Sequence, residues 1–401
     1  MLKDLGIFSM NNFKMDFIPK FSHVLSEGHK QDKPSLSNKD YPFTFSACLL
    51  IKDDNRILPE WLAYHYTVMP LRRLIVLPDP LSITSPEPIL EKFKEIGMSI
   101  TFWGDKDFNS MATNWYSKAA NPDDMKERKN SAYKYRQLQF YHKCLLHLKE
   151  LNGTATWTML TDTDEYIVFN NYFEREVAQN KTQNSQDLRF NLPKIGHLTV
   201  SEYIAKAVKI GKACWSSLPC DVLPRLTFGS FESSAQQVAA NVPPGFHALS
   251  FNTMQFRFHE DPAEKGNDIG KSIIDVTRWD GLFPAGPHRI NNNCCHPWPR
   301  FSEAELRIHH YTGSLTTFLR SKGEDDPRGE STFRNRNAGV DPNLSNDDIR
   351  GWLQRFVDNV GQETAHELTE KLREWAIADY DKAAVKYGIG NFTHPFYKTN
   401  T

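Results

Sequence analysis

Between Phe43 and Trp103 the chain alternates apolar runs of strand length with helical patterns. Phe43 to Ile51 is a buried-type strand that ends in the polar turn Lys52-Asp53-Asp54-Asn55. Leu58 to Tyr66 has helical character, with Pro59 suited to a first turn and Trp61, Leu62 and His65 at helical spacing. Arg73 to Asp79 is a second strand, Glu87 to Ile96 a short helix stopped by Gly97, and Met98 to Trp103 a third strand. Strands separated by helices are joined by crossovers, so they pair in parallel, and the crossovers are right-handed. This pattern predicts an α/β fold built on a mostly parallel sheet flanked by helices.

A long amphipathic helix follows, with Leu138, Tyr141, Leu145 and Leu148 as its apolar stripe. The next apolar run, Trp157 to Leu160, opens into Thr161-Asp162-Thr163-Asp164-Glu165, and a second run, Tyr166 to Phe169, comes straight after. In an extended segment Asp162 and Asp164 point the same way and Glu165 points away. Two carboxylates leaving a strand end together offer oxygen ligands to a hard divalent cation, at the sheet edge where open α/β folds bind ligands. On that reading Glu165 is structural. A solvated turn remains the plainer alternative. A calcium loop does not fit, because Tyr166 stands where an acidic or amide residue is needed and Ile167 where the loop needs glycine.

The rest of the chain bounds the function. Its 401 residues carry a net charge of −1, which gives no basic stripe for nucleic acid. No run of 18 apolar residues occurs, and Met1 to Asp40 lacks the apolar core of a secretory signal, so no membrane span is expected and the chain reads as soluble. The six cysteines form neither a disulfide framework nor a zinc pattern. Cys214 and Cys220 can bridge a short loop and Cys294-Cys295 are adjacent, but buried free thiols are the simpler expectation. Asn152, Asn180, Asn343 and Asn391 each begin an Asn-x-Ser/Thr sequon, which by itself decides no compartment. Residues 1–40 read as a tail, 41–330 as the α/β domain and 331–401 as a helical extension, with helices from Ser345 to Val360 and Thr364 to Tyr387. Residues 171–194 read as a polar insertion. The Pro-, Gly- and aromatic-rich stretch 214–300 reads as irregular strands and loops that suit a binding surface over the sheet edge.

Taken in order, several segments resemble the family 92 glycosyltransferases, formerly domain of unknown function 23, and the related family-2-like transferases. Ala47 to Asp53 resembles the opening strand, and Leu58 to His65 the E-W-L-x-Y-H helix. Arg136 to Cys144 resembles the Gln-bearing helix, and Thr161 to Ile167 the D-x-D-E-[FY] motif. Arg225 to Ser230 and Lys271 to Ile273 are similar to later segments, and His309 to Ser314 to the closing H-Y motif. The chain departs from the family in ending its first strand Lys52-Asp53-Asp54 rather than Lys-Asn-Glu.

The resemblance implies a GT-A-type, Rossmann-like fold and a divalent cofactor, most often manganese. It implies a nucleotide-sugar donor, a glycan or glycoconjugate acceptor and inversion at the sugar carbon. It also points to the Golgi or secretory pathway. Asp162, Asp164 and His310 are then the metal ligands, with His309 on the opposite strand face. Asp53, Asp54, Arg136, Asp162 and Lys271 are the donor-binding candidates. Glu232, Glu260 and Asp261 are the candidate general bases. An inactive nucleotide-sugar-binding module and a metal-dependent phosphohydrolase are the alternative readings.

Overall fold

The computed structural model describes residues 41–108, 122–151, 157–170, 198–230, 242–262, 270–281, 288, 294–295, 301, 304–322, 329–346, 349 and 351–387, with only the backbone over 122–135 and at a few further helical positions. Strands β1 (Phe45–Ile51), β2 (Leu71–Pro78), β3 (Ser99–Phe102) and β4 (Trp157–Met159) are mutually parallel in the order β3-β2-β1-β4. The sheet continues through β9 (Lys271–Asp275) to β6 (Cys220–Leu223), and β9 runs antiparallel to both of its neighbours. Chain order reverses between β1 and β4, and the C-terminal ends of strands at such a switch point are where open α/β sheets hold ligands.

A second sheet has the order β11-β8-β7-β10-β5, from β5 (Glu165–Phe169), β7 (Arg225–Phe228), β8 (Phe258–Glu260), β10 (Leu306–Tyr311) and β11 (Val340–Ser345). It is antiparallel except for β7 and β10. The chain passes between the sheets at Leu160–Asp164, and again at Pro224 between β6 and β7. The expected α/β alternation is present, and the 214–300 stretch supplies strands to both sheets.

Helix α1 (Leu58–Val68) is buried at every residue. A helix covered on all sides belongs inside the core, and α1 packs there with Trp352, Leu353 and Phe356 of the C-terminal region. On the other side of the first sheet, the long helix over Pro122–Glu150 buries Tyr141, Leu145 and Leu148 of the expected stripe, together with Phe140 and Cys144, while Leu138 is only half-buried. The described residues from Tyr41 to Tyr387 fall in one compact unit, so the C-terminal helices share the main core.

Two C-terminal expectations are corrected. Helix begins at Trp352 rather than Ser345, because Val340–Ser345 pairs with β8 as an edge strand and Gly351 takes a left-handed φ of 98° at the helix start. The second helical run, from Gln362 to Tyr387, contains a π turn at Glu367–Lys371. A π turn carries an extra residue and rotates the faces beyond it. Regular helical spacing would put Leu368, Leu372 and Trp375 on one apolar face; instead Leu368 and Leu372 stay buried, Ala376 joins them, and Trp375 turns out to 38% exposure.

The free-thiol expectation is also corrected. Cys48 bonds Cys144, Cys214 bonds Cys295 and Cys220 bonds Cys294. The first pair ties β1 to the long helix. Of the other two, Cys220–Cys294 holds the Cys294-Cys295 step to β6, and Cys214–Cys295 holds it to the short helix Ala213–Ser217 before that strand; Cys295 also donates its N–H to Cys220 O at 2.9 Å and accepts from Val222 N at 3.3 Å. The pairing partners lie 74 to 96 residues apart, beyond the reach of a reading by local spacing.

Within α1, His65 bonds Trp61 O through Nδ1 at 2.9 Å and stacks on Tyr166, while its Nε2 finds no partner among the described residues. Burial lowers its pKa from 6.5 to about 3, so the folded chain holds it neutral while the unfolded chain protonates it below 6.5. Its contribution is therefore complete above pH 6.5 and lost as pH falls toward 3, at up to about 1.4 kcal/mol per pH unit. His65→Leu is expected to flatten the fall in urea midpoint between pH 6.5 and 4, leaving the part due to buried His309, which is shifted the same way. An unchanged slope in that variant would contradict the assignment.

Candidate functional site

The segment Leu160–Asp164 joins β4 of one sheet to β5 of the other, so it cannot remain extended. It folds into a tight turn in which Glu165 N–H donates to Asp162 O at 3.2 Å. In return the Glu165 carboxylate accepts from the Asp162 N–H at 2.9 Å. This turn changes where the acids point. Asp162 takes Lys271 Nζ on its carboxylate at 2.7 Å, while Asp164 faces His310 Nε2 at 3.3 Å. Glu165, expected to face away, turns inward. One ligand atom each from Asp164, Glu165 and His310 lie within 4.8 Å of one another.

Sheet register brings the partners in. β10 runs antiparallel to β5 with His310 opposite Glu165, and Tyr311 N–H donates to Asp164 O at 2.9 Å. His309, one residue away, lies on the other face as expected, where it accepts from Arg307 Nε at 2.9 Å. β9 continues past its pairing with β4, where Leu160 N–H donates to Ser272 O at 3.1 Å, and so delivers Lys271 to the turn.

Electrostatically the site holds three carboxylates and one ammonium. Lys271 is 2% exposed and bridges Asp162 and Glu165, the latter at 3.2 Å. Burial disfavours its charge, yet the two carboxylates overcome that and push its pKa up, so the ammonium stays charged. Burial raises the Glu165 carboxyl; Asp162 and Asp164 raise it further, against Lys271. His310 Nδ1 is buried without a partner among the described residues.

Helix α1 fixes this turn from outside. The carbonyls of Glu165 and Ile167 point away from β10, and α1 caps them. Trp61 Nε1 donates to Glu165 O at 3.1 Å and Tyr64 hydroxyl to Ile167 O at 2.7 Å. Glu60 accepts from Asn252 N, Thr253 N and Thr253 Oγ1 at 2.7 to 2.9 Å. Of the E-W-L-x-Y-H residues, Trp61 and Tyr64 thus support β5 behind the acidic turn through its backbone, while Glu60 binds the Asn252–Thr253 segment and His65 its own helix.

The other sequence candidates have definite places. Asp53, in a left-handed conformation at φ 53°, holds the loop after β2 by accepting from Ile83 N and Thr84 N at 2.9 and 3.1 Å. Burial raises its carboxyl pKa against those hydrogen bonds. Asp54 accepts from Thr163 Oγ1 at 2.9 Å, which joins the end of β1 to the acidic turn. Arg136 is held by Asp105 at 2.9 Å, by Asp79 at 3.8 Å and by Pro78 O at 2.9 Å, at the end of β2. Beside Asp54 a small open cleft lies between the Asp53–Ile57 turn, Thr317, and the helix face of Ala376, Ile377 and Tyr380. Glu260 ends β8, two strands from β10, and exposed Asp261 follows it. Glu232 lies outside the described residues.

Sequence reasoning missed Glu165 and Lys271 as partners in one cluster. The available signal was Lys271 itself, a cation opening the otherwise strand-like Lys-Ser-Ile-Ile-Asp run.

No protein-family model and no curated protein sequence matches the chain. Among solved structures, S. aureus TarS 1-349 aligns at 12% identity over 87% of this chain and 93% of its own, with a TM-score of 0.25. Its complex with UDP-GlcNAc aligns at 10% identity over 86% and 92%, with a TM-score of 0.26, and its complex with UDP at 10% over 87% and 93%, with a TM-score of 0.25. Superpositions this loose transfer neither site nor activity.

Removing the ammonium tests the electrostatics. Lys271→Met leaves Glu165 buried beside two other carboxylates, and breaking a buried pair in this way costs about 3–5 kcal/mol. Asp162 is 45% exposed and solvent screens it, so most of that cost comes from Glu165. Urea unfolding of Lys271→Met should show the loss, and adding Glu165→Gln should restore part of it. A loss under about 1 kcal/mol would mean the pair is not buried in solution.

Proposed function

We propose that this chain is a metal-dependent glycosyltransferase of GT-A, family-92 type, which moves a sugar from a nucleotide-sugar donor to a glycan or glycoconjugate acceptor with inversion. The observation that supports this most is the cluster of Asp164, Glu165 and His310 beside the C-terminal ends of β1 and β4. A ligand cleft is expected at that switch point.

The residues fit a divalent cation. Two carboxylates and an imidazole form a mixed oxygen and nitrogen donor set that suits manganese among the hard-to-borderline ions. The acids outnumber the one ammonium, so the site carries negative charge that a cation would neutralise. Asp164, Glu165 and His310 would hold the ion, with Asp162 beside them. When bound, a divalent ion there supplies positive charge against the departing nucleoside diphosphate.

The chain's own residues do the remaining work. Lys271 holds the Asp162 and Glu165 carboxylates in place through its contacts at 2.7 and 3.2 Å. Half-exposed Asp162 is open to a donor hydroxyl or to the ion. Asp54 fixes Thr163, and with it the spacing of the two aspartates. Inversion also requires a carboxylate to take the acceptor proton. Glu232, Glu260 and Asp261 remain the proposed candidates for that role.

The test is a thermal-shift panel of nucleotide sugars with and without manganese, followed by donor turnover. A donor at 100 times its Kd should add about 2.7 kcal/mol of stability. Asp164→Ala is expected to abolish both the manganese-dependent shift and turnover while the circular dichroism spectrum is unchanged. Wild-type turnover retained in that variant would remove the metal assignment.

A further inference from the structure

We propose that Asn343 is an N-glycosylation site and that this chain matures in an oxidising compartment. The proposal does not depend on the function assigned to the acidic cluster. It rests on two separate observations, the pairing of the cysteines and the geometry of one sequon.

All six cysteines of the chain are paired, and none is free. Reducing compartments keep thiols open, whereas stable disulfides belong to secretory and extracellular proteins. Here one pair fastens β1 to the long helix, one fastens Cys294 to β6, and one fastens Cys295 to the short helix before β6. A chain that folds this way meets the machinery that modifies sequons.

Of the four sequons, Asn152, Asn180 and Asn391 lie outside the described residues. Asn343-Leu344-Ser345 is described. It sits on β11, the outermost strand of the second sheet, so one side of it has no neighbouring strand. The ladder with β8 is interrupted there. Asp341 pairs with His259 and Ser345 with the adjacent Phe258, so Pro342, Asn343 and Leu344 bulge out of register. Asn343 is exposed at the crest. Asp341 Oδ1 accepts from its backbone N–H at 2.8 Å and from its side-chain amide at 2.9 Å, an Asx-type turn local to the bulge. A bulky glycan at this position meets solvent rather than the core.

The chemistry balances with a polyprenyl-diphosphate-linked oligosaccharide as co-substrate of the modifying enzyme. The Asn343 Nδ2 forms a bond to the sugar C1 while the bond from C1 to the phosphate oxygen breaks. The amide gives up one proton, and the polyprenyl diphosphate leaves with the electron pair.

The full chain is expressed in eukaryotic cells behind a cleavable secretion signal, and two sites are mapped by mass spectrometry. Glycosidase release in heavy-oxygen water should convert Asn343 to labelled Asp. Ser345→Ala should abolish that label, and Ser345→Thr should keep it. Alkylation without reductant should leave all six cysteines unlabelled. Recovery of the Asn343 peptide unmodified overturns the site, whether or not another sequon is occupied. Alkylation of the cysteines in folded chain, or failure of the wild type to be secreted folded, overturns the compartment.

Discussion

Everything at the candidate site follows from a chain that leaves one sheet and enters another within five residues. A segment that short cannot keep the strand geometry of either side, so it must turn, and its backbone groups must be satisfied in the turn. Glu165 and Asp162 satisfy each other, Tyr311 takes the Asp164 carbonyl, and Ser272 takes the Leu160 amide. Those bonds gather three carboxylates into one small volume. Left alone they would repel. One buried ammonium, Lys271, makes the arrangement stable enough to exist, while leaving the acids in excess.

The second constraint is the exposed edge of β5. Its outward carbonyls need partners inside a dry core. In place of another strand the fold uses a helix, and Trp61 and Tyr64 reach from α1 to those carbonyls. This explains why a buried helix carries Glu, Trp, Tyr and His rather than aliphatic residues alone. Each polar tip has a job in the scaffold: two cap β5, Glu60 caps the Asn252–Thr253 turn, and His65 closes on its own helix.

This division of labour also shows what a sequence discloses. The β-α-β-α-β alternation was legible because strand and helix periods are local properties, and the observed strands β1, β2 and β3 fall within or beside the runs read from them. The carboxylate pair was legible as an acid-rich strand end. Its true geometry was not, since treating Thr161 to Glu165 as extended put Glu165 on the wrong side. Only the second sheet, built partly from residues more than a hundred positions downstream, forces the turn. Lys271 was legible as a cation but not as a partner, because its place comes from the register of β9 against β4. Cysteine pairing and the π-turn phase shift that exposes Trp375 were hidden for the same reason: each is settled by packing between distant segments.

A site of this kind trades local stability for chemistry. Packed apolar side chains in place of Lys271, Asp162 and Glu165 would commonly stabilise a protein as well or better. Under the proposed function the crowded like charges would have a use, because a divalent ion would relieve the repulsion that folding alone leaves behind. Binding and stability are linked in this arrangement, as any ligand that prefers the folded chain must stabilise it. The acidic turn, the buried ammonium and the α1 clamp thus form one device. The clamp holds the acids closer than their charges favour, and the ammonium offsets part of the cost. What remains is an excess of acid over ammonium at the mouth of the sheet.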